Sequence, residues 1–194
     1  ASVVLVSLLG CSAASHSVPP SGPTTALPAT SAGSATPASQ PKPVAAPLQP
    51  GAQLAAEQKI EMSSKASFTA PTGWFLCRPK ELPVRVWGPE RDLMVTIVDV
   101  GAAKDSAAAV AAAWAVAQPG FALAIAEATD LPGRDGWDAM AQVTYVTPTA
   151  ESRLVIAAAR KRGDHWFVHL IEGSTAAVGR RGAQLRSVVD SFEL

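Results

Sequence analysis

Between Gly136 and Gly173, apolar and polar positions alternate in three runs: Trp137–Val146, Arg153–Arg160 and His165–Glu172. Turn-formers separate them at Thr147-Pro148-Thr149 and at Arg162-Gly163-Asp164. β-Branched and aromatic residues in alternation between such breaks predict an antiparallel three-strand meander. The middle run carries Leu154-Val155-Ile156-Ala157-Ala158-Ala159, apolar at every position. A strand apolar on both faces needs cover on both, so a layer is expected above the sheet and another below it.

Upstream, strands are predicted over Ala66–Ala70, Trp74–Arg78, Val84–Trp87 and Leu93–Val100, with turns at Pro71-Thr72-Gly73 and Gly88-Pro89-Glu90. The pattern then changes period. Asp105 or Ser106 can cap a helix over Ala107–Ala117, closed by Pro119-Gly120, with Val110 and Trp114 on one face. Ala103, Ala107 and Ala117 near that face would let the helix lie close on the sheet. Phe121–Ala128 reads as another strand, and Asp130–Gly136 as the loop into the meander. At the end, Ser174 or Thr175 caps a second helix in which Val178, Leu185, Val189 and Phe192 make an apolar stripe. Gly179 and Gly182 weaken that helix, each by about 1 kcal/mol relative to Ala. Trp114 and Trp166 are expected in the core. The fold class is α+β, an antiparallel sheet with packed helices. This ordering is similar to the PsbP/Mog1-like α/β/α sandwich, which also ends in a closing helix and a Ser-Phe pair, here Ser191-Phe192. Such a likeness implies a fold and not a function.

The globular domain is expected over residues 64–194, enough for one hydrophobic core. What precedes it is of another kind. Residues 12–58 read as an Ala/Pro/Ser-rich tether, with nine prolines between Pro19 and Pro50 and at most a short helical turn around Leu54–Lys59. Residues 1–11 read as the tail of a signal peptide, Val3-Val4-Leu5-Val6-Ser7-Leu8-Leu9, whose basic start is missing. Leu8-Leu9-Gly10-Cys11 resembles the lipobox of bacterial lipoproteins, which implies a diacylglycerol on Cys11. The protein would then sit in the bacterial envelope, anchored to the membrane through Cys11 and facing the periplasm. Ser12 after the cysteine favours the outer membrane in a Gram-negative host.

Composition mostly excludes. Formal net charge is zero, so no long-range field draws in nucleic acid, and no nucleic-acid partner is expected. Of the two cysteines, Cys11 is assigned to the lipid, which leaves Cys77 as a small buried hydrophobe without a disulfide partner. His165 and His169 share a face of one strand, but four residues apart there means roughly 13 Å, too far for adjacent ligands of one metal. Asp130, Asp135, Asp138 and Asp164 lack calcium-loop spacing and read as turn residues. Gly179-Arg180-Arg181-Gly182 has the form of a nucleotide clamp but no aromatic platform, and reads as a helix start with small residues against the sheet.

Serine-hydrolase chemistry is equally bare. There is no Gly-x-Ser-x-Gly elbow, and Ser39-Gln40-Pro41-Lys42 meets the Ser-x-x-Lys pattern only inside the Pro-rich tether. The chain contains no asparagine, which removes every motif that requires one. No catalytic, metal or cofactor-binding residue is assigned.

Read in order, Ile97-Val98-Asp99-Val100, Ala113-Trp114, Gly136-Trp137-Asp138, Gly163-Asp164-His165-Trp166 and Arg181-Gly182-Ala183 form a series. It resembles the N-terminal accessory domain of exported serine hydrolases of the β-lactamase/penicillin-binding-protein-like family, over about Phe68–Leu194. The resemblance implies a C-terminal catalytic domain as partner, beyond Leu194, and no catalytic residue within this chain. The alternative is a stand-alone lipoprotein whose PsbP-like domain binds a protein or envelope component.

Overall fold

The computed structural model describes residues 51–77 and 83–194. The strands of the first half are β1 (Ala52–Gln53), β2 (Gln58–Glu61), β3 (Ser67–Ala70), β4 (Phe75–Cys77), β5 (Val84–Trp87) and β6 (Leu93–Gly101). Helix α1 (Ser106–Ala117) follows, then β7 (Ile125–Pro132), β8 (Ala139–Tyr145), β9 (Arg153–Arg162) and β10 (His165–Ser174), and finally α2 (Thr175–Asp190). One antiparallel sheet runs in the order β1-β4-β5-β6-β10-β9-β8-β7, and β2 with β3 forms a separate hairpin.

The meander sits at the heart of that sheet, with β10 between β9 and β6. Its tight corner is made by Gly163, whose φ of 58° puts the backbone where a side chain is disfavoured. The Gly163 N–H donates to the Asp138 carboxylate at 2.7 Å, tying the corner to the start of β8.

Both faces of the sheet are covered, as the apolar middle strand requires. Val155, Ala157 and Ala159 of β9 belong to a cluster with Val98, Val168 and Leu170 under the α1 residues Ala109, Val110, Ala113 and Trp114. Phe167 and Ile171 of β10, on the opposite face, pack with Val95, Ile97, Leu185, Val188 and Phe192 beneath α2. The β2–β3 hairpin completes that second layer, burying Ile60 and Phe68. Main-chain bonds of 2.8 Å in both directions between Ser67 and Glu193 seal the chain's last residues to β3.

Caps fall where the sequence places them. The Asp105 carboxylate accepts from the Ala108 N–H at 2.8 Å, and the Ser174 hydroxyl from the Ala177 N–H at 3.0 Å. In α2, Leu185 is buried as expected and Val178 and Val189 lie at the flanks; the helix ends at Asp190, so Phe192, though buried, lies beyond it. Ala177 and Val188 form the inner line instead.

Three expectations need correction. The helical turn around Leu54–Lys59 is absent; Gln58 opens a strand, because Ile60 alternates into the core beside Phe68. The tether expected over 12–58 gives way to the fold no later than Ala52, which pairs with Leu76, and Leu54 is buried. Its residues 12–50, like the signal-peptide residues 1–11, lie outside the described region. The strand expected at Phe121–Ala128 begins only at Ile125 and continues through Asp130 to Pro132, residues read as loop. The cause is Phe121, which leaves the sheet to stack on Trp114 with ring centroids 3.7 Å apart.

Candidate functional site: a charged cleft at the end of the first helix

Helix α1 stops before it has covered its face of the sheet. Beyond its end, that face turns polar, with Arg85 on β5 and Thr96 on β6, both buried, and the partly buried Glu172 on β10. Beside them, Arg153 opens β9. Two loops, 118–123 and 147–152, rise around this patch and leave an open cleft of about 330 Å³. Phe121, Leu123, Pro148 and Val155 supply its apolar wall, and Gln118, Arg153 and Glu172 its polar one. A volume of that order suits a small molecule or a side chain of a partner.

The charges are coupled. Arg153 donates to Glu172 at 3.3 Å, with the carboxylate mostly out of solvent. Arg85 is buried and donates through Nη2 to the Ala117 carbonyl at 2.8 Å, capping the exposed end of α1. Burial pushes the Glu172 carboxyl above its usual range, against the pull of Arg153 and Arg85. Burial likewise holds Arg85 below the ordinary guanidinium value, against Cys77 and Glu172. Arg85 Nε and Nη1, with Trp87 Nε1 on the same strand, are buried donors that have no hydrogen-bond partner among the described residues. Leaving such groups unpaired is costly, so this end of the sheet is built to less than full satisfaction. Sequence reasoning passed over Arg85, Arg153 and Glu172. The available signal was an arginine inside the apolar run Val84–Trp87 and a glutamate closing the longest apolar strand.

The residues weighed from sequence lie elsewhere. His165 and His169 do share a face, with Phe167 between them. His165 is exposed, stacks on Phe167 at 6.3 Å between centroids and stands 3.6 Å from the Asp99 carboxylate. His169 is fully buried, edge-on to Phe192 at 5.1 Å, and among the described residues neither ring nitrogen makes a well-formed hydrogen bond. Burial drives its pKa down to about 3; the Arg160 charge adds to this and the Ala158 backbone opposes it. Such an imidazole is neutral and shut away from any substrate.

Asp130 accepts from the Ser106 hydroxyl, Asp138 from Gly163, and Asp135 occupies a turn at φ 54°. Among the described residues, no group of three or more His, Cys, Asp or Glu converges to hold a metal. Gly179 and Gly182 lie within α2 and not against the sheet, Gly179 facing open space. Arg180 and Arg181 between them pair with Asp92 and Glu90. Cys77 is free and half-buried on β4, more open than the buried site expected for it. Cys11, His16, Lys42 and Ser39 lie outside the described residues.

No family model and no curated protein matches the chain. Solved structures do. The solution structure of cyanobacterial PsbP (CyanoP) from Synechocystis sp. PCC 6803 is similar over 76% of this chain and 98% of that one, at TM-score 0.53 and 13% identity. The fold is that of PsbP. The Saccharomyces cerevisiae Ran-binding protein Mog1p also aligns, over 71% of this chain and 94% of its own, at TM-score 0.44 and 12% identity. The α+β sandwich expected from the order of elements is therefore the observed architecture.

Proposed function

We propose that this chain is a non-catalytic binding domain and that the cleft at the end of α1 holds its ligand. The observation that carries this is the cleft itself: the Arg153–Glu172 pair set beside an apolar wall at the end of the helix. Its walls offer donors from Arg153 and Gln118, acceptors from Glu172, and the ring of Phe121. Nothing placed there pairs a nucleophile with a base, and the buried imidazole of His169 is on the other face of the sheet. Arg153→Gln and Glu172→Gln, each removing one charge of the pair and made singly, should leave the fold intact by circular dichroism and weaken binding of small amphiphilic probes at least tenfold. Unchanged binding in both variants would place the ligand elsewhere.

On the same reading, the domain is tethered to the bacterial envelope by a lipid on Cys11, on the periplasmic side. Two acyl chains of a diacylglycerol suffice for a stable anchor, where one is marginal. Expression of the full-length gene with Cys11→Ala should release the protein into the soluble periplasm. Retention on membranes through detergent-free washing would rule the anchor out. The ordered segments from Ile97 to Ala183 favour service beside a β-lactamase-like serine hydrolase domain lying C-terminal to Leu194. An open frame beyond Leu194 that reaches a helix-borne Ser-x-x-Lys would support that placement, and a stop codon there would leave the stand-alone binding lipoprotein. In either case these 194 residues should take no label from a fluorophosphonate or penicillin probe.

A further inference from the structure

The last strand of the sheet is open in a way the rest of the molecule is not. Strand β7 is its outer edge, and all eight residues, Ile125 to Pro132, are exposed. The opposite edge, β1, has only two residues. A long edge presents a row of main-chain N–H and C=O groups to any extended chain that meets it. Natural edges are blunted by lysine, by proline within the strand or by a covering element. β7 has no lysine or arginine, and its one proline stands at the last position. Ile125 is 59% exposed and Leu131 40%, large apolar side chains on an edge whose pairing with β8 is irregular only between Ile125 and Glu127.

Next to this edge, α1 and the sheet leave a groove of about 220 Å³. Ala141, Val143 and Tyr145 form its floor, with Ala107, Val110 and Ala111 as the helical wall. Ile125, Ala128, Thr129 and Asp130 of β7 line that groove, and the alternation of the strand turns Glu127 and Leu131 to the face opposite Ala128 and Asp130. The two carboxylates of the strand, Glu127 and Asp130, thus lie on opposite faces. Each is contacted by a hydroxyl, Thr129 at 3.4 Å and Ser106 at 2.8 Å. Among the described residues, neither has a cation within ion-pair distance.

We propose that β7 receives an extended, basic segment of a partner protein as a ninth, antiparallel strand. Main-chain bonds to the open edge would supply the pairing. Two basic side chains three residues apart would meet Asp130 and Glu127, one on each face. The apolar residue opposite Ala128 would enter the groove between β7 and α1. A second copy of the chain fits poorly. Two β7 strands paired antiparallel offer neither carboxylate a cation, because β7 carries no lysine or arginine, whereas a basic segment supplies one to each.

The probe is the peptide acetyl-Val-Arg-Thr-Val-Lys-Val-amide, carrying a fluorophore and titrated into the full-length protein by anisotropy. Binding should weaken at least tenfold when Glu replaces both its Arg and its Lys. N-methylation of alternate peptide nitrogens on the pairing edge should abolish binding, because it removes the main-chain bonds. The double variant Glu127→Lys, Asp130→Lys should reverse the preference and take the acidic peptide. Four outcomes would overturn the proposal: no binding of the basic peptide at millimolar concentration, equal binding of both peptides, retained binding after N-methylation, or a chain that dimerises through β7 and cross-links at Thr129→Cys.

Discussion

Acidification from pH 6.5 to 5 should cost the domain about 2 kcal/mol, and His169 should account for it. The imidazole is fully buried beneath Phe192, with no well-formed hydrogen bond to either nitrogen among the described residues, and its pKa in the fold falls to about 3. In the unfolded chain it titrates near 6.5, so below that pH the unfolded state binds a proton the fold refuses. The sign is therefore destabilising as pH falls. The loss grows at about 1.4 kcal/mol per pH unit until the folded pKa is reached. Arg160 is the nearby charge that reinforces it; its guanidinium is paired with Asp190 at 2.9 Å and gives the ring no acceptor.

Glu90, Asp105 and Glu193, held low by Arg181, the Ala108 N–H and Lys59 respectively, lose their stabilising charge only at more acid pH. Glu172 acts in the opposite sense: its raised pKa favours the fold when protonated. Urea midpoints at pH 6.5 and 5 isolate the histidine. In His169→Leu the loss on acidification over that window should disappear, leaving only the opposite contribution of Glu172, with stability at pH 7 little changed. A loss that survives the substitution would assign it to another group.

Truncation of Trp114 to Ala should cost about 3–5 kcal/mol, a large share of the 5–15 kcal/mol that a domain of this size holds. Trp114 lies under α1, stacks on Phe121 at 3.7 Å and donates from its indole N–H to the Tyr145 hydroxyl at 2.8 Å. Removing it leaves a cavity, an unpaired phenol and a Phe121 without its platform. Phe121 is also a wall of the cleft, so this core residue and the proposed site should fail together. Trp114→Phe should retain most of the packing and lose chiefly the bond to Tyr145, about 1 kcal/mol. A loss below 1 kcal/mol for the alanine variant in urea titration would mean that the core under α1 does not depend on this ring.

The parts of this fold that were legible in the sequence are those where pattern and packing coincide. Leu154–Ala159 is apolar at every position because α1 covers one face and α2 the other. Asp105 and Ser174 stand out because a cap needs a short acceptor next to an apolar run. The failures have a common cause, tertiary contact overriding local pattern. Phe121 looks like the first residue of a strand and is spent on Trp114. Leu54 looks like the end of a tether and Ile60 falls before the expected start of the domain, yet both fill the second core layer. The cleft was hardest to read. Arg85, Arg153 and Glu172 come from three strands spread over 88 positions, and no local spacing joins them. Only the early end of α1 and the sheet register bring them together.

The most direct test of the central claim is an amide NMR titration of the isotopically labelled full-length protein with a panel of small amphiphilic acids, amines and sugars. A binding domain with its ligand at the end of α1 should shift the amides of Phe121, Leu123, Thr147, Arg153 and Glu172 together and leave those beneath α2, such as Phe167 and Ile171, in place. Shifts confined to the α2 face, or no saturable shift with any member of the panel, would contradict it.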